Sequence, residues 1–320
     1  MKKQTATFLF AALTFAQPTL ACVNTYFTRI DGSLVSDLAG GDAPDFATIL
    51  TSKQTTHWDR ELKETEARLA SADPEEKWRH EADLAVLNLR FNKVAESVTT
   101  LERLTRAQPK EYILAANLGT AYELAGRDED ALVWIKRAME LDPSSHEGTE
   151  WLHVKILEAK LASKADPTWW KSNSVLGLDF GNGKKPRRPE ANFGNERVEA
   201  VEKALLYQLR ERLSFVKPPD AIVGDLLFDF ANLVALHRTV EAAKPLSELA
   251  LSFEPPRKEL AQERDRHYRW LLMTKLDPDT LMNIALAAIG AVALAILIGT
   301  YAVVRRVLRN RRNEEAKQAA

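Results

Sequence analysis

The run Gly177-Leu178-Asp179-Phe180-Gly181-Asn182-Gly183-Lys184-Lys185 holds the residue types of a phosphate-binding loop. Such a loop needs four residues between its first glycine and a Gly-Lys-Ser/Thr, so that amides and lysine converge on one phosphate. Here five residues separate Gly177 from Gly183, Lys185 stands where the hydroxyl belongs, and no strand pattern precedes the run. Asp179-Phe180-Gly181 spells a kinase metal-binding triplet, but the catalytic-loop and lysine-strand partners it requires are missing. The six histidines (His57, His80, His146, His153, His237 and His267) fall at no metal-ligand spacing. No Gly-x-Ser-x-Gly elbow is present. Carboxylate pairs are common because acids are common, so they single out no acid–base site. These residues predict no catalytic centre, no metal site and no cofactor.

Composition narrows the class further. Charged residues are 28% and hydrophobic residues 45% of the 320, a globular balance with enough chain for a sizeable core. The single cysteine excludes an internal disulfide framework. The net charge of −1 conceals an asymmetry. The tail holds Arg305, Arg306, Arg309, Arg311, Arg312 and Lys317 against only Glu314 and Glu315, and the rest of the chain is acidic. An acidic body with a basic stub suits membrane attachment and not nucleic-acid binding.

Two apolar segments set the expected location. Lys2 and Lys3 precede a twelve-residue uncharged run, Thr5 to Ala16, and small residues lead to Ala21. This reads as a secretory signal peptide over residues 1–21. Cys22 would then follow the cut, as an acylated cysteine, an unpaired exported thiol or a covalent link to a partner. The second segment, Leu281 to Val304, is twenty-four residues without a charge. At 1.5 Å per residue it reaches about 36 Å, enough to cross a bilayer. The arginines that follow predict that the tail, residues 305–320, stays cytoplasmic while the body is exported to the outer side of the inner membrane. Asn283, Ala287, Ala291, Ala295 and Gly299 recur every fourth residue, a spacing that lets two such helices pack as a homo-oligomer.

Between these segments the pattern is helical and partly repetitive. Residues 112–143 contain Ala115-x2-Leu118-Gly119-x2-Tyr122, Gly126, Ala131-x3-Ile135-x2-Ala138 and Pro143. This resembles the tetratricopeptide repeat, a helix–turn–helix unit of about thirty-four residues. Thirty-four residues earlier a degenerate copy carries Leu84-Ala85, Ser97, Leu101, Leu104 and Pro109, with Asn88 for Tyr122 and Asn92 for Gly126. Ala231, Ala243, Ala250 and Pro255 outline a weaker third copy, out of register with the first two. The whole chain is similar to exported, membrane-anchored bacterial repeat proteins of unassigned activity, through Leu152–Leu161 and the run Val175-Leu176-Gly177-Leu178-Asp179-Phe180-Gly181. The resemblance implies an all-α fold, a short repeat stack plus one C-terminal transmembrane helix. It also implies a concave surface lined by the first helix of each pair, with Asn117 and, one turn on, Thr120 as ligand contacts. Asp83 takes the place of Asn117 in the earlier copy and is flanked by Arg79 and Arg90.

The expected organisation is an exported N-terminal segment (22–74), repeats with a following helix (75–164), a Gly/Pro/Lys-rich loop (165–195) and a second helical region (196–278). A helix over 145–161, with Trp151, Leu152, Ile156 and Leu157 on its apolar side, and the segment 196–214 would cap the stack. Trp169-Trp170 would close its end or, alternatively, form a platform for a carbohydrate or partner. Lys184, Lys185, Arg187 and Arg188 would form a solvated run or, alternatively, contact anionic lipid headgroups or an acidic partner. The expected function is non-catalytic: a membrane-anchored scaffold binding a protein or peptide partner. Two alternatives remain at this stage. One is an enzyme whose 165–195 loop lines a pocket with His153, Asp179 or His237. The other is a structural subunit that oligomerises through its membrane helix.

Overall fold

The computed structural model describes residues 26–36, 44–52, 58–189, 194–274 and 278–318. The proposed leader, Cys22 and the turn signal at Gly40-Gly41-Asp42 lie outside them.

Among the described residues the fold is all-α apart from one hairpin. That hairpin, β1 (Tyr26–Thr28) and β2 (Leu34–Ser36), turns at Asp31-Gly32 with Gly32 at φ +89. The helices are α1 (Phe46–Thr51), α2 (Trp58–Ser71), α3 (Lys77–Arg90), α4 (Val94–Ala107), α5 (Tyr112–Leu124), α6 (Asp128–Leu141), α7 (Ser145–Gly148), α8 (Glu150–Ala165), α9 (Asn195–Arg212), α10 (Ala221–His237), α11 (Val240–Ser252), α12 (Lys258–Thr274) and α13 (Pro278–Gln318). From α2 to α6, then through α8 to α12, each helix packs on the next, so the chain builds a stack of antiparallel pairs.

The two best pairs, α3–α4 and α5–α6, share one construction. Asn92 and Gly126, thirty-four residues apart, both adopt the left-handed conformation that turns the first helix back on the second (φ +59 and +75). At the crossing, small residues let the backbones approach. A Cβ on Gly119 would stand 2.6 Å from Ile135 Cδ1, closer than any real contact. The equivalent residue of the first pair is Ala85, whose carbonyl accepts a 2.8 Å hydrogen bond from Ser97 Oγ. Leu101, Leu104, Leu114, Leu118 and Ile135 fill the seam and are fully buried.

Helix α8 is the shared wall between two cores. Its Leu157 faces the repeat core, while Leu152 and Ile156 face a second core built by α1 and α9–α12. The continuous helix expected over 145–161 is interrupted. His146 and Glu147 take positive φ, so α7 is a distorted turn and the straight helix starts at Glu150. The segment expected to hold a weak third repeat forms a helix pair, α10–α11, and its Ala231, Ala243 and Ala250 are buried. Helix α10 is apolar except for Asp225, Asp229 and Asn232 on one face, and fourteen of its residues are buried, which makes it the central helix of the second core.

The loop expected at 165–195 is a loop, but it is not merely solvated. Val175, Leu176, Leu178 and Phe180 are buried in the second core. Trp169 and Trp170 pack edge to face at 4.7 Å and are partly buried against the same core.

Helix α13 is forty-one residues long and runs on through the basic tail, so 305–318 is its continuation and not a separate segment. Its stretch Met282–Asn313, with mean hydropathy 2.3 in its most apolar window, is long and apolar enough to cross a membrane, and none of that window is buried. Asn283, Ala287, Ala291, Ala295 and Gly299 are all exposed on it.

Candidate functional site

The residues expected to line one groove do not converge. Arg79 lays its guanidinium over its neighbour Trp78, 4.5 Å from the ring centre. Asp83 is exposed and lies 3.9 Å from His80 Nδ1. Neither arginine pairs with it, so the mixed Asp/Arg set is not assembled. Asn117 is half-buried on α5, and Thr120 turns its hydroxyl back onto the Ala116 carbonyl at 3.1 Å. Of the five, Arg90 alone lines the cleft walled by α9. Its guanidinium is held between the rings of Trp58 (3.9 Å) and Phe215 (4.7 Å). Two aromatic faces, one from α2 and one from the turn after α9, hold this cation, because a flat, weakly hydrated guanidinium stacks well on rings.

Arg90 and Trp58 form one wall of a cleft of about 1,120 Å³. The opposite wall is α9, through Lys203, Leu206, Tyr207, Arg210 and Glu211, and Leu50 and Leu249 supply apolar floor. Burial pulls the Arg90 pKa down, and Glu211 partly restores it. Tyr207 is pushed up to about 12 by burial and by Glu211, Glu150 and Glu147, so its hydroxyl keeps its proton. Lys203 is tied to Glu147 at 2.9 Å. Arg210 and Lys217 at the rim are exposed and form no ion pair among the described residues. The cleft therefore offers aromatic and aliphatic surface, a desolvated guanidinium and two uncommitted cations, the chemistry that accepts an extended segment with apolar and acidic side chains.

A buried ionic network sets the wall that carries Tyr207 and Arg210. Glu123, near the end of α5, accepts two parallel hydrogen bonds from Arg212 of α9, Nη1 to Oε1 at 2.8 Å and Nη2 to Oε2 at 2.9 Å. His153 Nε2 of α8 reaches the same carboxylate at 2.8 Å and Lys160 Nζ at 3.0 Å. On its other side His153 Nδ1 lies 3.5 Å from Glu150, which meets His146 Nδ1 at 2.7 Å. Burial alone would raise the Glu123 pKa, but the Arg212 charge and His153 hold it well below the usual carboxylate range. Glu150, likewise buried, is drawn to about 2 by its two histidines. His153 is raised, because its two carboxylates outweigh burial. Three helices are thereby locked at one point, with an arginine fork giving a fixed geometry.

A second buried set pins the 165–195 loop. Asp225 and Asp229 of α10 share Arg257 Nη2, at 2.6 and 2.7 Å, and Asp225 Oδ2 also accepts from the Val175 amide at 2.9 Å. Burial and the adjacent Asp225 charge push Asp229 up to about 7 against the pull of Arg257. Arg264 of α12, fully buried, donates to the carbonyls of Phe180 (2.9 Å), Gly183 (3.0 Å) and Gly181. Beside this set a shallow cleft of about 550 Å³ is lined by Trp170, Lys171, Asn182, Arg257, Glu263 and Arg266.

The three residues named for a catalytic loop are dispersed. His153 belongs to the Glu123 network. Asp179 is exposed, accepts from the Gly181 amide at 2.7 Å and pairs with Arg187. His237 ends α10, with its pKa lowered by burial. None of the three lines either cleft. Among the described residues no group of three or more His, Cys, Asp or Glu side chains is placed to hold a metal. Sequence reasoning passed over both buried ionic sets. The signal for one was present, since Asp225, Asp229 and Asn232 interrupt an otherwise apolar helix on one face. A scan against protein-family models finds no match to this chain, and a search of curated proteins finds none either.

Proposed function

We propose that this protein is a membrane-anchored, non-catalytic scaffold of the tetratricopeptide-repeat type, which holds a segment of a partner protein in the cleft between Trp58, Arg90 and α9. The observation that carries the reading is the cleft itself: aromatic and aliphatic walls beside a stacked guanidinium, with Arg210 and Lys217 forming no ion pair among the described residues. The paired-helix stack supports it, because such stacks present extended surfaces for peptides. The α13 helix anchors the body. The arginines after it keep the tail cytoplasmic and place the body on the outer face of the inner membrane. Anchoring raises the local concentration of the cleft toward other membrane components.

The test is site-specific photo-cross-linking in intact membranes from Tyr207, with Val133 on an exposed helix face as the control position. A discrete product formed from Tyr207 alone, and abolished by R210E with K217E, is the expected outcome. Products of equal yield from both positions, or a Tyr207 product indifferent to the charge reversals, would refute this use of the cleft.

A further inference from the structure

The structure places the basic run of the loop beside the last exposed aromatic before the apolar helix. Arg264 holds the Gly183 carbonyl at 3.0 Å, so Lys184 and Lys185 leave the loop next to the middle of α12. Six residues after Arg264 stands Trp270, 56% exposed, with His267 stacked on it at 5.8 Å; Met273, 66% exposed, follows one turn on. Among the described residues before α13, these are the only two large apolar side chains exposed three positions apart on one helix. The proximity of the lysines is also felt at His267, whose pKa falls through burial and then through their charges.

Chain length ties this patch to the bilayer. Thr274 ends α12 and Pro278 begins α13, so their Cα atoms are at most about 15 Å apart. Trp270 lies one helical turn before Thr274, about 6 Å along the axis. The neighbouring carboxylates are largely committed. Asp265 meets Lys244 and Arg269, each at 3.1 Å, and Asp31 accepts two hydrogen bonds from Ser33. Lys184, Lys185 and Arg266 form no ion pair among the described residues, and Glu259 and Glu263 are the acids that line the cleft with Arg266.

We propose that this face of the body docks on the membrane that anchors it: Trp270 and Met273 enter the headgroup layer, and Lys184 and Lys185 meet lipid phosphates. The inference rests on the reading of α13 as a membrane anchor. Tryptophan favours that layer because its ring is apolar and its N–H needs a polar partner, and each lysine near an anionic surface adds its own attraction. Docking would fix the orientation of the body, and so of the cleft, above the bilayer.

The test uses the full chain reconstituted in phosphatidylcholine–phosphatidylglycerol vesicles with brominated acyl chains. The emission of Trp270 is isolated as the difference from W270F, and alkaline extraction reports whether α13 is inserted. The expected result is strong quenching of Trp270 in inserted protein, cut by about fivefold in K184E/K185E. Inserted protein with an unquenched Trp270, or quenching untouched by the charge reversals, overturns the docking and leaves the anchor standing. Protein released by alkaline extraction overturns the anchor and the docking together. A Trp270 shielded only at high protein-to-lipid ratio identifies a second copy as its cover and also overturns the proposal.

Discussion

The repeat half, α3–α6, and the half built on α8–α12 solve the same packing problem by opposite means. In the repeat half, neighbouring helices meet through Gly119, Ala85, Ala131 and Ala138 with leucines between them, and the contacts join residues close in sequence. In the second half the decisive contacts are buried charges that reach far along the chain. Arg212 finds Glu123 across 89 residues, and Arg264 finds Phe180 across 84. Small-residue seams are interchangeable, so they tolerate repetition. A buried charge must be met by opposite charges or hydrogen bonds at fixed geometry, so it fixes one arrangement of α9 and of the loop. The cleft lies where the two halves meet, with Arg90 from one and Tyr207 from the other.

The largest effect should come from breaking the fork between the halves. Arg212→Ala leaves Glu123 buried with only His153 and Lys160, and removal of one partner of a buried pair costs about 3–5 kcal/mol. Urea unfolding of the full chain in detergent should show that loss, while the paired change E123M/R212L recovers most of it. A loss under about 1 kcal/mol for Arg212→Ala would mean that the halves are held by apolar packing alone, and the contrast drawn above would fail.

What the sequence made legible follows the same division. The pair α5–α6, its degenerate copy and the long apolar helix were all readable, because each is written in local spacing. Asp220 caps α10 in the same local way, accepting from the Val223 amide at 2.8 Å. The interruption at His146–Glu147 was hidden, since neither residue type signals a left-handed turn. Arg90 was named from the sequence without its surroundings, because Trp58 and Phe215 are brought to it by tertiary folding. The placement of Asn117 and Thr120 in a groove came from resemblance, and the cavity that forms lies elsewhere. The burial of Val175, Leu176, Leu178 and Phe180 was obscured by the glycines and lysines around them. It depends on Arg264, which no short-range pattern connects to the loop.

An intermediate effect should appear in the pH dependence of stability. Asp229 sits at about 7 in the folded protein and near 4 when unfolded, so between those values the folded state binds the extra proton. Stability must therefore fall as pH rises through that window and level off above it. The raised His146 and His153 add to this fall. Their contribution is complete below about 6.5 and is lost as pH rises through their folded values. Glu123 and Glu150 act in the other direction, and their stabilisation is lost only as pH drops below about 4.5. Thermal melts at pH 5 and pH 8 should show the wild-type protein melting several degrees lower at pH 8. D229N should shrink that difference, and H153Q should shrink it independently. An unchanged pH difference in D229N would show that the carboxyl is already ionised at pH 5 and that Arg257 serves both aspartates fully.

The smallest effect separates backbone from side chain inside the repeat half. Gly126 turns at φ +75, and a Cβ built there meets nothing within 4 Å. Gly126→Ala should therefore cost only the left-handed strain of an L-residue, about 1–2 kcal/mol. Gly126→Asn should be nearly neutral, because asparagine tolerates that region, as Asn92 already does at φ +59 in the first pair. Asn92→Ala should then lose about as much as Gly126→Ala, and Asn92→Gly should lose nothing. If the two turns respond alike, they are the same structural element written with two residue types, and the interchangeability of the seams extends to the turns. If Asn92→Gly is clearly destabilising, the Asn92 side chain holds something beyond the turn, and the first pair is less regular than its backbone shows.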